Sequence, residues 1–152
     1  MPSGARHTLA SGVVAASSGA ALFLYSPEAA FWCTAGALGG VLLTPDHDLP
    51  GNITYHYVRR YAGLPAGFLW QAVWFIYSRL FKHRSFWSHG PIVSTAIRLL
   101  YLSLFIAPFW MWLELPAPTF TVSAGWWLLG LVLSDSCHAV LDRLDELLGG
   151  RL

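Results

Sequence analysis

The chain has 152 residues, 55% of them hydrophobic, with eight Trp, a mean hydropathy of +0.51 and 11% charged side chains. That length suits one domain with one core, and that balance lies outside the range of ordinary soluble domains. A net charge of +1 excludes the basic footprint of a nucleic-acid binder, and the two cysteines, Cys33 and Cys137, lack the spacing of a disulfide framework.

The N-terminus carries one Arg and His7 before a Ser/Ala/Gly-rich apolar run, Thr8–Tyr25. Ala15-Ala16-Ser17 is a poor signal-peptidase site, so the segment is read as retained, and His7 with it. Ala29–Thr44 is a second apolar run rich in small residues. Small residues let helices approach closely in a membrane, so both runs are expected inside the bundle. The second ends in Thr44-Pro45-Asp46-His47-Asp48, an extended turn in which His47 points away from its two neighbours. His56, between two tyrosines, reads as a surface residue. Leu64–Leu80 is apolar and aromatic on one side, which suits an interfacial or re-entrant helix.

His83 and His89 follow, with Arg84 between them. On one continuous helix they would stand about 240° apart, so a loop or a break is needed to bring them together. Gly90-Pro91 then opens Ile92–Leu113, a run of the length that a bilayer core requires. Phe120–Leu141 is the fourth run, and near its end Asp135, His138 and Asp142 fall at i, i+3 and i+7. That spacing holds them within about 60° on one helical stripe.

Four alternating spans carry all these polar clusters to one side. The nine Lys/Arg fall on or near that side, while the opposite turns hold Glu28 and Glu114. The positive-inside rule makes that face cytoplasmic. Trp110, Trp112, Trp126 and Trp127 would form an aromatic belt at the far interface. The expected fold is all-α: a polytopic membrane bundle of about four spans over residues 1–152, with one interfacial or re-entrant helix. Both termini and a metal site face the cytoplasm from the inner (plasma) membrane. A soluble helical protein is the competing architecture.

Four of the six histidines and four of the eight acids sit in these clusters. Such groups are costly to bury without partners, and a shared divalent cation is the economical partner. The alternatives are an Asx-turn or N-cap for Asp46 and Asp48, interfacial histidines at 83 and 89, and helix-end capping at 135–142. Imidazole with carboxylate suits Zn²⁺, with Mn²⁺ or Fe²⁺ as substitutes, in one or two ions. Arg84 and Arg98 would grip a phosphate or offset the acids, and Asp48 or Asp135 would act as general base.

An N-terminal His, a Pro-Asp-x-Asp turn, His-Arg-x-x-x-Ser-His and a final His-x-x-x-Asp resemble the bacterial metal-binding membrane proteins. These include the inner-membrane metal-dependent hydrolases, some described as LexA-binding, with a distant likeness to zinc phospholipase C and the single-strand nucleases. The resemblance covers nearly the full length. It implies a helical fold and ligands at His7, Asp46, His89, His138 and Asp142, with Asp48, His83 and Asp135 next. The chain departs from the hydrolase branch at Ser85–His89, where Gly-x-Thr-His is usual, and it lacks the later His and Glu of the soluble phospholipases. The expected activity is hydrolysis of an amphiphilic phosphoester among membrane lipids, with no nucleic-acid partner. A non-catalytic metal-binding sensor or scaffold is the alternative, and a metal transporter the third reading.

Overall fold

The computed structural model describes residues 4–116 and 120–149, and among these every regular element is helical. In chain order they are α1 (Gly4–Phe23), α2 (Pro27–Leu42), a 3-10 turn (Pro45–Asp48), α3 (Ile53–Ala62), α4 (Leu64–Leu80), α5 (Phe86–His89), α6 (Val93–Trp112) and α7 (Val122–Leu147).

The centre of the bundle is α2, wedged between α1 and α7 and made of small residues. Its buried face is Ala29, Ala30, Cys33, Gly36, Ala37 and Gly40. A Cβ on Gly36 would stand 1.9 Å from the Trp127 carbonyl oxygen, and one on Gly130 would stand 1.9 Å from that of Cys33. Backbone therefore lies against backbone, the packing that small-xxx-small spacing permits. Gly36 lies by Trp127 and Gly40 by Ser134, so α2 and α7 run parallel. Against α1 the direction reverses: Ser11 hydrogen-bonds Ser134 at 2.8 Å, and His7 stacks on His138. The start of α1, the end of α2 and the later part of α7 consequently meet at one end of the molecule.

Trp74 and Tyr77 of α4 form an aromatic cluster with Tyr101 of α6. The entry to α6 is sharp. Val93 N–H bonds the Pro91 carbonyl at 2.7 Å and Ile92 adopts φ 65°, ψ −53°, a strained γ-turn for a β-branched residue. Deeper in the bundle, Asp135 of α7 accepts hydrogen bonds from Arg98 and Thr95 of α6. The outer half of α6 exposes Leu104, Phe105, Ile106, Phe109, Met111 and Trp112.

Two helices among the described residues, α6 and α7, are long and apolar enough to cross a membrane. The expectation of four such spans is not met. α2 has 16 residues, short of the roughly 17–25 that a span needs, and α1 has 20 but spends them on Gly, Ala and Ser. Arg151, one of the nine Lys/Arg, lies outside the described residues.

Candidate metal centre

Thr44 starts the 3-10 turn, its hydroxyl accepting the Asp46 N–H at 3.3 Å, and Pro45 presets the following backbone angle. His47 pins the turn from beneath. Its Nε2 lies 2.6 Å from the Leu42 carbonyl oxygen, which only accepts, so Nε2 carries the proton and Nδ1 accepts from Asn52 Nδ2 at 3.1 Å. The ring lies flat on Trp74, with centroids 3.8 Å apart. Burial pushes its pKa down to about 3, so it stays neutral. The expectation that His47 points outward is thus corrected: the 3-10 winding turns it into the core, where it supports its neighbours.

Ser85 caps the short α5, its hydroxyl accepting the Ser88 N–H at 3.3 Å. Ser88 Oγ donates to the Lys82 carbonyl at 2.9 Å and lies 3.0 Å from His89 Nδ1. That hydroxyl oxygen is free to accept, which places the imidazole proton on Nδ1 and leaves the Nε2 lone pair facing inward. The loop between α4 and α5 is the break that brings His83 and His89 together, with ring centroids 4.9 Å apart.

The inward-facing atoms converge. His89 Nε2 lies 3.5 Å from both Asp46 Oδ1 and Asp142 Oδ2, and His138 Nε2 lies 3.4 Å from the same two oxygens. His7 Nε2 stands 3.5 Å from Asp142 Oδ1, its ring stacked on His138 at 3.7 Å. Among the described residues, His89 Nε2, His138 Nε2 and Asp142 Oδ2 are buried without a hydrogen-bond partner, as are Asp48 Oδ2 and His83 Nε2. Buried polar atoms are rarely left so. Two donors each about 2.1 Å from one ion stand about 3.4 Å apart at the tetrahedral angle. The side chains are spaced as ligands around a cation, and the residues fit the group.

Asp48 lies behind Asp46, its carboxylate fully buried, accepting from His83 Nδ1 at 2.9 Å with its other oxygen 3.4 Å from His89 Nδ1. This hydrogen bond raises the His83 pKa against the opposing effect of burial. Burial alone would push the Asp46 carboxyl up, but the His138 and His89 imidazoles outweigh it and hold it well below the usual range. Arg84 stands at the rim, reaching Asp142 at 3.2 Å, Asp145 at 3.3 Å and Glu146 at 3.6 Å. A cleft of about 350 Å³ opens outward from His89 and Asp142, between Phe86 on one wall and Val140 and Leu144 on the other.

The structure thus brings together His7, Asp46, Asp48, His83, His89, His138 and Asp142, with Arg84 at the edge. It does not bring Arg98 or Asp135 into this assembly. Arg98 is 1% exposed and pairs with Asp135, so the expectation that it grips a phosphate gives way to a buried ion pair joining α6 to α7. Asn52 and Ser88, which orient His47 and His89, were missed, since a lone Asn or Ser carries no ligand signature. Asp145, which carries no ligand spacing in the sequence, is buried and holds Arg84.

An all-helical bundle that gathers imidazoles and carboxylates from four segments into one buried, uncompensated cluster defines a metal-binding protein. The chain belongs to the family described as uncharacterized metal-binding protein (DUF2227), whose model matches residues 2–127. His7, Asp46, Asp48, His83 and His89 lie inside the matched range, whereas His138 and Asp142 lie beyond it. No curated protein and no solved structure matches the chain.

Proposed function

We propose that this protein is a metal-dependent hydrolase of phosphoesters, acting at the cytoplasmic face of the inner membrane. The observation that carries the reading is that two imidazole nitrogens each lie 3.4–3.5 Å from the same two carboxylate oxygens, three of these four atoms buried without a hydrogen-bond partner among the described residues, with His89 and Asp142 lining an open cleft. His89, His138, Asp46 and Asp142, with His7 alongside, would hold the ion, and Zn²⁺ suits this mixed nitrogen and oxygen set. Such an ion supplies Lewis acidity and activates water for attack on phosphorus.

The chain's own groups do the rest. Arg84 holds one oxygen of Asp142 while the other faces the ligand cluster, and its position at the mouth lets it share charge with an incoming phosphoryl group. Phe86, Val140 and Leu144 offer an apolar wall for the tail of an amphiphile. The exposed apolar side of α6 supports a membrane setting, in which α6 and α7 cross and α1 and α2 complete a multi-pass bundle. The motif likeness to inner-membrane hydrolases and zinc phospholipase C points the same way.

The second reading is a metal-binding membrane protein without turnover, acting as a sensor or scaffold. It is favoured by Arg84, whose charge three carboxylates already offset. A transporter is disfavoured, because transporter ligands sit near the bilayer midplane and these gather at one end of the bundle. The test is an assay of Zn²⁺- or Mn²⁺-loaded protein on phospholipids, prenyl phosphates and aryl phosphates, with Asp46→Asn beside the wild type. Turnover that disappears in the variant supports the hydrolase. Metal-loaded protein that turns over none of them, or matches its variant, leaves the non-catalytic reading.

A further inference from the structure

We propose that the centre holds a second divalent ion, bound by Asp48 and His83, with Asp46 shared between the two ions. The inference rests on the metal-binding reading of the first cluster and extends it. Donor atoms of His7, His138 and Asp142 all lie within 4.8 Å of one another, and donors of Asp46, Asp48, His83 and His89 form a second set within the same limit. The two sets touch at Asp46 and His89: Asp46 Oδ1 lies 3.4 Å from His138 Nε2 and His89 Nε2 lies 3.5 Å from Asp142 Oδ2, so these two side chains also face the first ion, and Asp48 and His83 are left for a second. A carboxylate that reaches both sets, as Asp46 does, can be shared by two ions of the kind that stand about 3.5–4 Å apart.

Asp48 is the residue that one ion leaves unexplained. Its carboxylate is fully buried, Oδ1 is satisfied by His83, and Oδ2 is buried with no hydrogen-bond partner among the described residues. His83 Nε2 is left in the same condition. The His89 Nδ1 proton is aimed at Ser88 Oγ at 3.0 Å, so it does not answer the Asp48 oxygen. A carboxylate removed from water with half its acceptors empty is costly, and a cation is the partner that repairs it.

Charge points the same way. Asp46, Asp48 and Asp142 bring three negative charges to the centre. One divalent ion leaves a formal charge of minus one, which repels a phosphoester, and Arg84 is already balanced by Asp145 and Glu146. Two divalent ions leave plus one, which attracts an anionic substrate. Asp48 then serves as a ligand, the role the family resemblance also implied, in place of the general base that it or Asp135 was expected to supply.

The full chain, purified in detergent, stripped and reloaded with Mn²⁺, is to be analysed for metal per chain and by electron paramagnetic resonance. About two equivalents with an exchange-coupled spectrum are expected, falling to about one uncoupled equivalent in Asp48→Asn and in His83→Gln with helicity unchanged. His83 is partly exposed, so His83→Gln carries the test if Asp48→Asn fails to fold. A wild type holding one uncoupled ion overturns the second site alone, and so do variants that keep the wild-type content. A wild type that retains no metal overturns it together with the metal-binding reading, whereas absent turnover with two ions bound touches only the hydrolase.

Discussion

The imidazoles of this protein divide by the hydrogen bonds their second nitrogens make. His47 spends both nitrogens on the chain and a face on Trp74, so it is structural; His89 spends one and presents the other to the carboxylates. His47→Phe keeps the stack but leaves the Leu42 carbonyl and the Asn52 amide unanswered, and is expected to cost about 1–3 kcal/mol in thermal unfolding. His138→Ala with Asp142→Ala removes two proposed ligands from a helix that tolerates Ala well. Retained metal should disappear while circular dichroism stays constant; undiminished metal would reduce the stripe to a helix end. Asp135→Asn makes the contrasting case. It strands Arg98 as a buried, uncompensated charge, with an expected loss of about 3–5 kcal/mol and metal content preserved. Loss of metal without loss of stability would return Asp135 to the site.

Helix contacts set how closely those residues come together. α2 and α7 meet through backbone at Gly36 and Gly130, and this close parallel pairing carries the Asp46 turn alongside His138. Gly36→Ala and Gly130→Ala each place a methyl where a carbonyl oxygen already stands, so the helices must part. The expected cost is about 1–3 kcal/mol each, read as a lower unfolding temperature in detergent, with weakened metal binding because Asp46 moves away from His138. A neutral result at both positions would mean that the pair is looser than its backbone contacts imply. The loop before α5 matters in another way. Arg84 adopts φ 58°, a conformation that costs a non-glycine residue about 1–2 kcal/mol, and its ion pairs to α7 oppose that cost.

In the molecule as a whole, the polar end and the apolar flank occupy different surfaces. The imidazole–carboxylate cluster lies where α1 begins, α2 ends and α6 begins, while the outer half of α6 is exposed among the described residues. In the proposed topology a reporter active only outside the cytoplasm should give signal when inserted after Leu115 and none when fused at the C-terminus. The opposite pattern would invert the assignment of the metal centre to the cytoplasmic face.

Much of this was readable along the chain, because it depends on short-range rules. Apolar runs marked α1, α2 and α6 to within a few residues, while α7 continues past its apolar run to Leu147, and Pro45 and Gly90-Pro91 marked where the helices break. The i, i+3, i+7 spacing put Asp135, His138 and Asp142 on one stripe, yet within that stripe Asp135 faces α6 and the other two face His7, Asp46 and His89. Spacing along a helix gives the stripe; which neighbour each side chain meets depends on what packs against that side. The inward turn of His47, the capture of Arg98 by Asp135 and the hold of Asp145 on Arg84 are contacts between residues distant in the chain. No local pattern encodes them, since each arises only when backbone-close packing brings separate helices into register.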